Sequence, residues 1–134
     1  MGMPVRIEQL EGKRLRGTVR GHTIVADRPR EEGGGDAGPS SGELLLLAVG
    51  SCAAGSLRGF LEACGRRPSG LSVEVAWEPA PGQDARERIV ITLGVDPEAL
   101  QLAPQQIAEA AAGGGVVSRV RLGSEISVRF AARK

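Results

Sequence analysis

Apolar and polar residues alternate in short runs along the first third of the chain. Val5-Arg6-Ile7-Glu8 alternates, and Leu15-Arg16-Gly17-Thr18-Val19 does so more loosely. His22 to Ala26 carries the β-branched residues Thr23, Ile24 and Val25 at its middle. A period of two puts successive side chains on opposite faces of a strand, so the pattern predicts a three-stranded meander. Gly12-Lys13 and Arg20-Gly21 are its turns. Asp27 to Gly38 is all glycine, proline and charge apart from Ala37. It predicts an irregular loop of about a dozen residues, a length that in compact domains usually carries function or mobility. Ser40-Ser41-Gly42-Glu43 has the spacing of a capping box with Ser40 as N-cap. Leu44 to Val49 is apolar all round, which predicts a central helix covered on every side. That helix continues through Cys52, Leu57, Phe60 and Leu61 and stops at Gly65.

Strict alternation returns at Leu71 to Trp77, and Ile89, Ile91 and Leu93 share one side of a further strand, Arg88 to Val95. Asp96-Pro97-Glu98 opens a ragged helical stretch to Ala112, with Pro104 breaking it and Gly113-Gly114-Gly115 ending it. Val116 to Leu122 reads as a short turn, and Glu125 to Ala131 as a last strand. The order βββ-α-ββ-α-β predicts an α+β fold, a single domain over residues 1–134 with a mainly antiparallel sheet and a long buried helix.

Composition narrows the partners. A net charge of +1 gives no support for nucleic acid or a membrane surface. Trp77, Phe60 and Phe130 are the only aromatics, so the core is aliphatic and base stacking has no platform. Aliphatic cores of this size are often completed by a second subunit, which points to a homodimer. The longest apolar stretch, Leu44 to Ala54, is about half of the ~20 residues that a membrane span needs. Met1 to Leu10 has no apolar run of signal-peptide length. The expectation is a cytoplasmic protein with reduced thiols, in which a cysteine is a candidate for chemistry rather than for a bridge.

Most chemistries lack their residues. One histidine and two cysteines form no zinc pattern, and there is no clustered acidic run, so no metal or cofactor is expected. Neither glycine triplet has the context of a phosphate-binding loop. Gly50-Ser51-Cys52-Ala53-Ala54 lies inside a helix and lacks the second glycine of a serine nucleophile elbow. Cys52 remains. A lone cysteine in an apolar helix is more often an inert core residue. Here Gly50, Ser51, Ala53, Ala54, Gly55 and Ser56 surround it with small side chains, which admit a close backbone approach or a ligand. Cys64, at the helix end, lies about 18 Å farther along the axis, too far for a bridge to Cys52 within one chain.

Three stretches carry a family resemblance: Gly21 to Pro29, the glycine loop Gly33-Gly34-Gly35-Asp36-Ala37-Gly38-Pro39, and Gly42-Glu43-Leu44-Leu45-Leu46-Leu47-Ala48-Val49-Gly50-Ser51-Cys52. Together they resemble the OsmC/Ohr family of osmotically inducible and organic hydroperoxide resistance proteins. The resemblance implies an intertwined homodimer, a six-stranded sheet from each chain, and a thiol peroxidase site at the interface. It implies that Cys52 attacks an organic hydroperoxide and becomes a sulfenic acid. An arginine would favour the thiolate and a glutamate would hold that arginine. Glu43 stands near the glutamate's place, with Gly42 one residue earlier where the hydroperoxide reductases have theirs; as a helix cap it needs no catalytic role. Arg20, ahead of Arg16, is the candidate arginine, and either also suits an outward-facing strand position. His22 resembles a common residue of the OsmC-like branch. The resolving cysteine falls at Gly114 or Gly115, so a reducing thiol would come from outside. Two functions follow: a one-cysteine thiol peroxidase in oxidative-stress defence, or a member without turnover that binds a small hydrophobic ligand or senses redox state.

Overall fold

The computed structural model describes residues 2, 4–67, 70–82 and 86–131, without the side chains of 98 and 99. The chain forms two compact units, one up to Leu47 and one from Ala48 onward.

The first unit holds β1 (Arg6–Gln9), β2 (Leu15–Val19) and β3 (His22–Ala26), antiparallel in that order. Ile7, Gly17 and Ile24 are aligned across the three strands. An added Cβ at Gly17 would stand 3.2 Å from Ile7 Cδ1 and 3.3 Å from Ile24 Cγ1, so the absent side chain lets the two isoleucines close over it. Val5, Ile7, Leu15 and Ile24 leave this face apolar and exposed. Arg16 and Glu8 pair on the other face at 3.3 Å. Arg20 and Gly21 join β2 to β3 with φ of 49° and 81°, the left-handed pair that a two-residue hairpin of type I′ needs.

The glycine loop is more ordered than its composition suggests. Residues Arg30–Glu32 form one 3-10 turn, where the sequence predicted no helix of any kind. Asp27, only 3% exposed, organises the rest. Its carboxylate accepts from the amides of Arg28 at 2.7 Å, Ala37 at 3.0 Å and Gly35 at 3.2 Å. A Cβ at Gly34 would collide with the Arg28 backbone, and one at Gly38 with the Val25 carbonyl. These glycines are close-approach positions that keep the loop wrapped around one buried carboxylate.

The loop delivers the chain into α1 (Ser41–Ala63). The capping box forms as predicted: the Ser40 amide donates to Glu43 Oε1 at 2.9 Å, and the Glu43 amide donates to Ser40 Oγ at 3.4 Å. At the far end Gly65 is left-handed, with φ of 71°. The Arg66 amide donates to Leu61 O at 2.8 Å and that of Gly65 to Glu62 O at 3.0 Å, a Schellman stop.

In the second unit β4 (Ser72–Pro79) and β5 (Glu87–Gly94) form an antiparallel pair. The helices α2 (Pro97–Leu100), α3 (Pro104–Ala112) and α4 (Gly115–Leu122) follow. The break between α2 and α3 falls where Pro104 predicted it, at Gln101 with φ of 56°. Val49, Ala53, Leu57 and Leu61 recur every fourth residue and bury one stripe of α1 against Leu100, Ile107, Ala111 and Val117. Val73, Val75, Ile89, Ile91 and Leu93 pack on the same cluster. Each fully buried leucine here is worth about 1.5–3 kcal/mol. By length and mean hydropathy, 1.7, α1 would suffice to cross a bilayer. One stripe of it packs on the core cluster of the second unit.

Other expectations change as well; Val116 to Leu122, expected as a short turn, lies within the eight-residue α4. The helix is not covered on every side: Leu47 is 61% exposed, and Ser51, Gly55 and Gly59 also face out. The last strand, expected at Glu125 to Ala131, is absent from the described residues; 123–131 belong to no helix or sheet. Alternation supplies one apolar face, but a strand also needs a neighbour for its backbone groups, and none pairs with this segment among the described residues. Ile126, Val128 and Phe130 consequently stand 85%, 91% and 93% exposed.

Candidate functional site

Cys52 lies on α1 between the buried Val49 and Ala53, and is half-buried. The small residues around it admit two close approaches. At Gly50 a Cβ would stand 2.9 Å from Val75 Cγ2, so β4 crosses the helix there. One turn on, Gly114 lies against the side chains of both Cys52 and Ser56; a Cβ on Gly114 would overlap Cys52 Sγ and crowd Ser56 Oγ. Gly115 is different: a Cβ there meets nothing within 4 Å. Gly55 is also open.

Gly114 is the N-cap residue of α4, with φ of −76° and ψ of 157°, and no side chain caps the helix. The first backbone bond of α4 is Ser118 N–H to Gly114 O at 3.0 Å. Val117, 4% exposed, anchors the element and holds its first turn at the sulfur. The Cys52 thiol and the Ser56 hydroxyl have no hydrogen-bond partner among the described residues. The sequence marked Ser56 only as one of several small neighbours of Cys52; the fold singles it out by bringing Gly114 to both side chains.

The other candidates occupy plain positions. Glu43 is exposed and engaged in its capping box. The Ser40 amide, then the Ser40 hydroxyl, lowers its carboxyl below the ordinary value. Arg20 is exposed at the tip of the β2–β3 hairpin, and Arg16 is paired to Glu8. His22 is exposed opposite Val19. Cys64 is exposed just past α1, its amide donating to Phe60 O at 3.1 Å and Leu61 O at 3.2 Å. The helix is continuous from Cys52 to Ala63, which keeps the two sulfurs of one chain apart. No group of three His, Cys, Asp or Glu capable of holding a metal occurs among the described residues.

The family model for OsmC-like protein matches residues 33–130, from the glycine loop through α1 and Gly114 into the terminal segment. The chain belongs to the OsmC-like protein family. Solved structures share the fold over most of the chain. One, from Psychrobacter arcticus 273-4, is described as an osmotic stress induced and detoxification response protein. It is 18% identical with a TM-score of 0.66, and 88% of each chain is covered. Another, from Legionella pneumophila, is described as an organic hydroperoxide resistance protein OsmC. It is 15% identical with a TM-score of 0.58, covering 89% of this chain and 90% of that one. At such identities the likeness establishes the OsmC-like α+β fold. No curated protein matches the sequence.

Proposed function

We propose that this OsmC-like protein reduces organic hydroperoxides through Cys52, using a thiol from solution as reductant. The observation that carries the reading is the seat of Gly114 against Cys52 Sγ. Sequence resemblance puts the family's resolving cysteine at Gly114 or Gly115, and of the two it is Gly114 that adjoins the sulfur. That juxtaposition supports Cys52 as the reacting thiol and explains why no internal disulfide would follow. The sulfur attacks the distal peroxide oxygen, the O–O bond breaks, and an alcohol leaves once the alkoxide takes a proton. Cys52 is oxidised by two electrons to a sulfenic acid. One external thiol condenses with it and releases water; a second frees Cys52 as the thiol. Arg20 is the group proposed to favour the thiolate and Glu43 the group proposed to hold that arginine, on the strength of the resemblance alone.

The working unit is proposed to be a homodimer in the cytoplasm. Leu122, Ile126, Val128 and Phe130, and in the first unit Val5, Ile7 and Leu47, are large apolar side chains left exposed, and such side chains mark interaction sites where they are contiguous. A second copy of the chain is the occupant proposed for these surfaces.

Peroxide consumption with cumene hydroperoxide and dithiothreitol tests the reading. Cys52→Ser is expected to abolish turnover and Cys64→Ser to match the parent, with a sulfenic-acid probe labelling Cys52 only. A stable, folded parent that neither consumes peroxide nor labels at Cys52 leaves the ligand-binding or sensing function in its place.

A further inference from the structure

We infer that Ser56 is a positioning residue for oxidised Cys52, holding the sulfenic oxygen and slowing a second oxidation. The inference rests on the reading of Cys52 as the peroxide-reactive thiol, and concerns how that site is regulated. Ser56 stands one helical turn after Cys52, the spacing at which side chains on a helix become neighbours. Both side chains converge on the backbone of Gly114, where an added Cβ would meet Cys52 Sγ, Ser56 Oγ and, at 3.5 Å, Cys52 O. Both residues are half-buried. Neither the thiol nor the hydroxyl is engaged in a hydrogen bond among the described residues.

A serine inside a helix ordinarily returns its hydroxyl to the carbonyl four residues back, here Cys52 O. That bond is not made in this structure, so the hydroxyl is available to a new acceptor beside the sulfur. When peroxide transfers one oxygen to Sγ, that acceptor appears. Gly114 closes one side of the sulfur, and Ser56 donates to the new oxygen from the adjoining side. A sulfenate whose oxygen accepts a hydrogen bond has less electron density on sulfur for attack on a second peroxide, the step that gives the sulfinic acid. A member whose place for a second cysteine is a glycine gains from this, because its sulfenic acid must wait for an external thiol.

The test compares Ser56→Ala and Ser56→Thr with the parent under graded cumene hydroperoxide. Trapped sulfenic and sulfinic Cys52 are quantified by mass spectrometry, and thermal unfolding is followed in parallel. Ser56→Ala is expected to shift the partition toward sulfinic acid by roughly two- to ten-fold, the range set by one ordinary hydrogen bond. Ser56→Thr, which keeps the hydroxyl, is expected to restore the parental partition. An unchanged partition in folded Ser56→Ala, or a Ser56→Thr variant that over-oxidises like Ser56→Ala, overturns the inference while leaving Cys52 as the reactive thiol. A parent with no oxidation at Cys52 overturns that underlying reading as well.

Discussion

One methyl group at Gly114 is a direct probe of how α4 sits on the reactive cysteine. The backbone there has φ of −76° and ψ of 157°, which alanine adopts freely, so any cost of Gly114→Ala is steric. The new Cβ overlaps Cys52 Sγ and crowds Ser56 Oγ. Sγ and Oγ each turn about a single torsion with few rotamers allowed on a helix, so part of the relief must come from α4 itself, whose Val117 is seated in the core. Overpacking of this kind costs about 1–3 kcal/mol. The loss of glycine's freedom in the unfolded chain offsets about 0.4–1 kcal/mol of it. Urea unfolding at fixed protein concentration is expected to show a net loss of about 1–2 kcal/mol for Gly114→Ala. Gly115→Ala adds a Cβ into open space at the first residue of α4 and is expected to be neutral or stabilising by up to about 1 kcal/mol. In a Cys52→Ala background the penalty at 114 should shrink, with a coupling of about 0.5–3 kcal/mol typical of residues in contact. Equal stability of the two alanine variants, or additivity with Cys52→Ala, would refute the packing of Gly114 on the sulfur.

The same geometry separates two engineered cysteines. Gly114→Cys is expected to give a peroxide-driven disulfide to Cys52 after a small shift of α4, because its Cβ is aimed at Sγ, whereas Gly115→Cys is expected to give none; peptide mass spectrometry distinguishes them. Oxidised parent protein should contain no Cys52–Cys64 link within one chain. Asp27 is held below the ordinary value of 3.8, chiefly by the amides of Ala37 and Arg28. A depressed folded-state value means that its contribution is complete above pH 3.8 and is lost as pH falls through the lower folded value. Asp27→Asn is therefore expected to lower stability at neutral pH and to flatten the acid limb of unfolding curves. Sedimentation at micromolar concentration should give twice 13.9 kDa; a stable monomer would remove the second copy from the proposed site.

Local chemistry determined much of the architecture. The capping box at Ser40 and Glu43, the stop at Gly65, the hairpin at Arg20-Gly21 and the break before Pro104 all follow from residues within a few positions of one another. Their hydrogen bonds and backbone angles are set by neighbours in the chain, so the sequence alone places them. The glycine loop and the Gly-Ser-Cys stretch likewise carry the likeness to the OsmC-like family within the sequence itself. Tertiary structure decided the rest. Asp27 reads as one more charge in a polar loop, and becomes a buried carboxylate only when Gly35 and Ala37 fold back onto it. Gly114 and Gly115 are equivalent in sequence, yet only Gly114 reaches Cys52, because Val117 fixes the rotation of α4 against a stripe of α1 some sixty residues away. The segment from Glu125 to Ala131 alternates like a strand and forms none among the described residues. Periodicity describes which side of a strand is apolar; whether a backbone pairs depends on an edge that sequence-distant residues, or another chain, must supply.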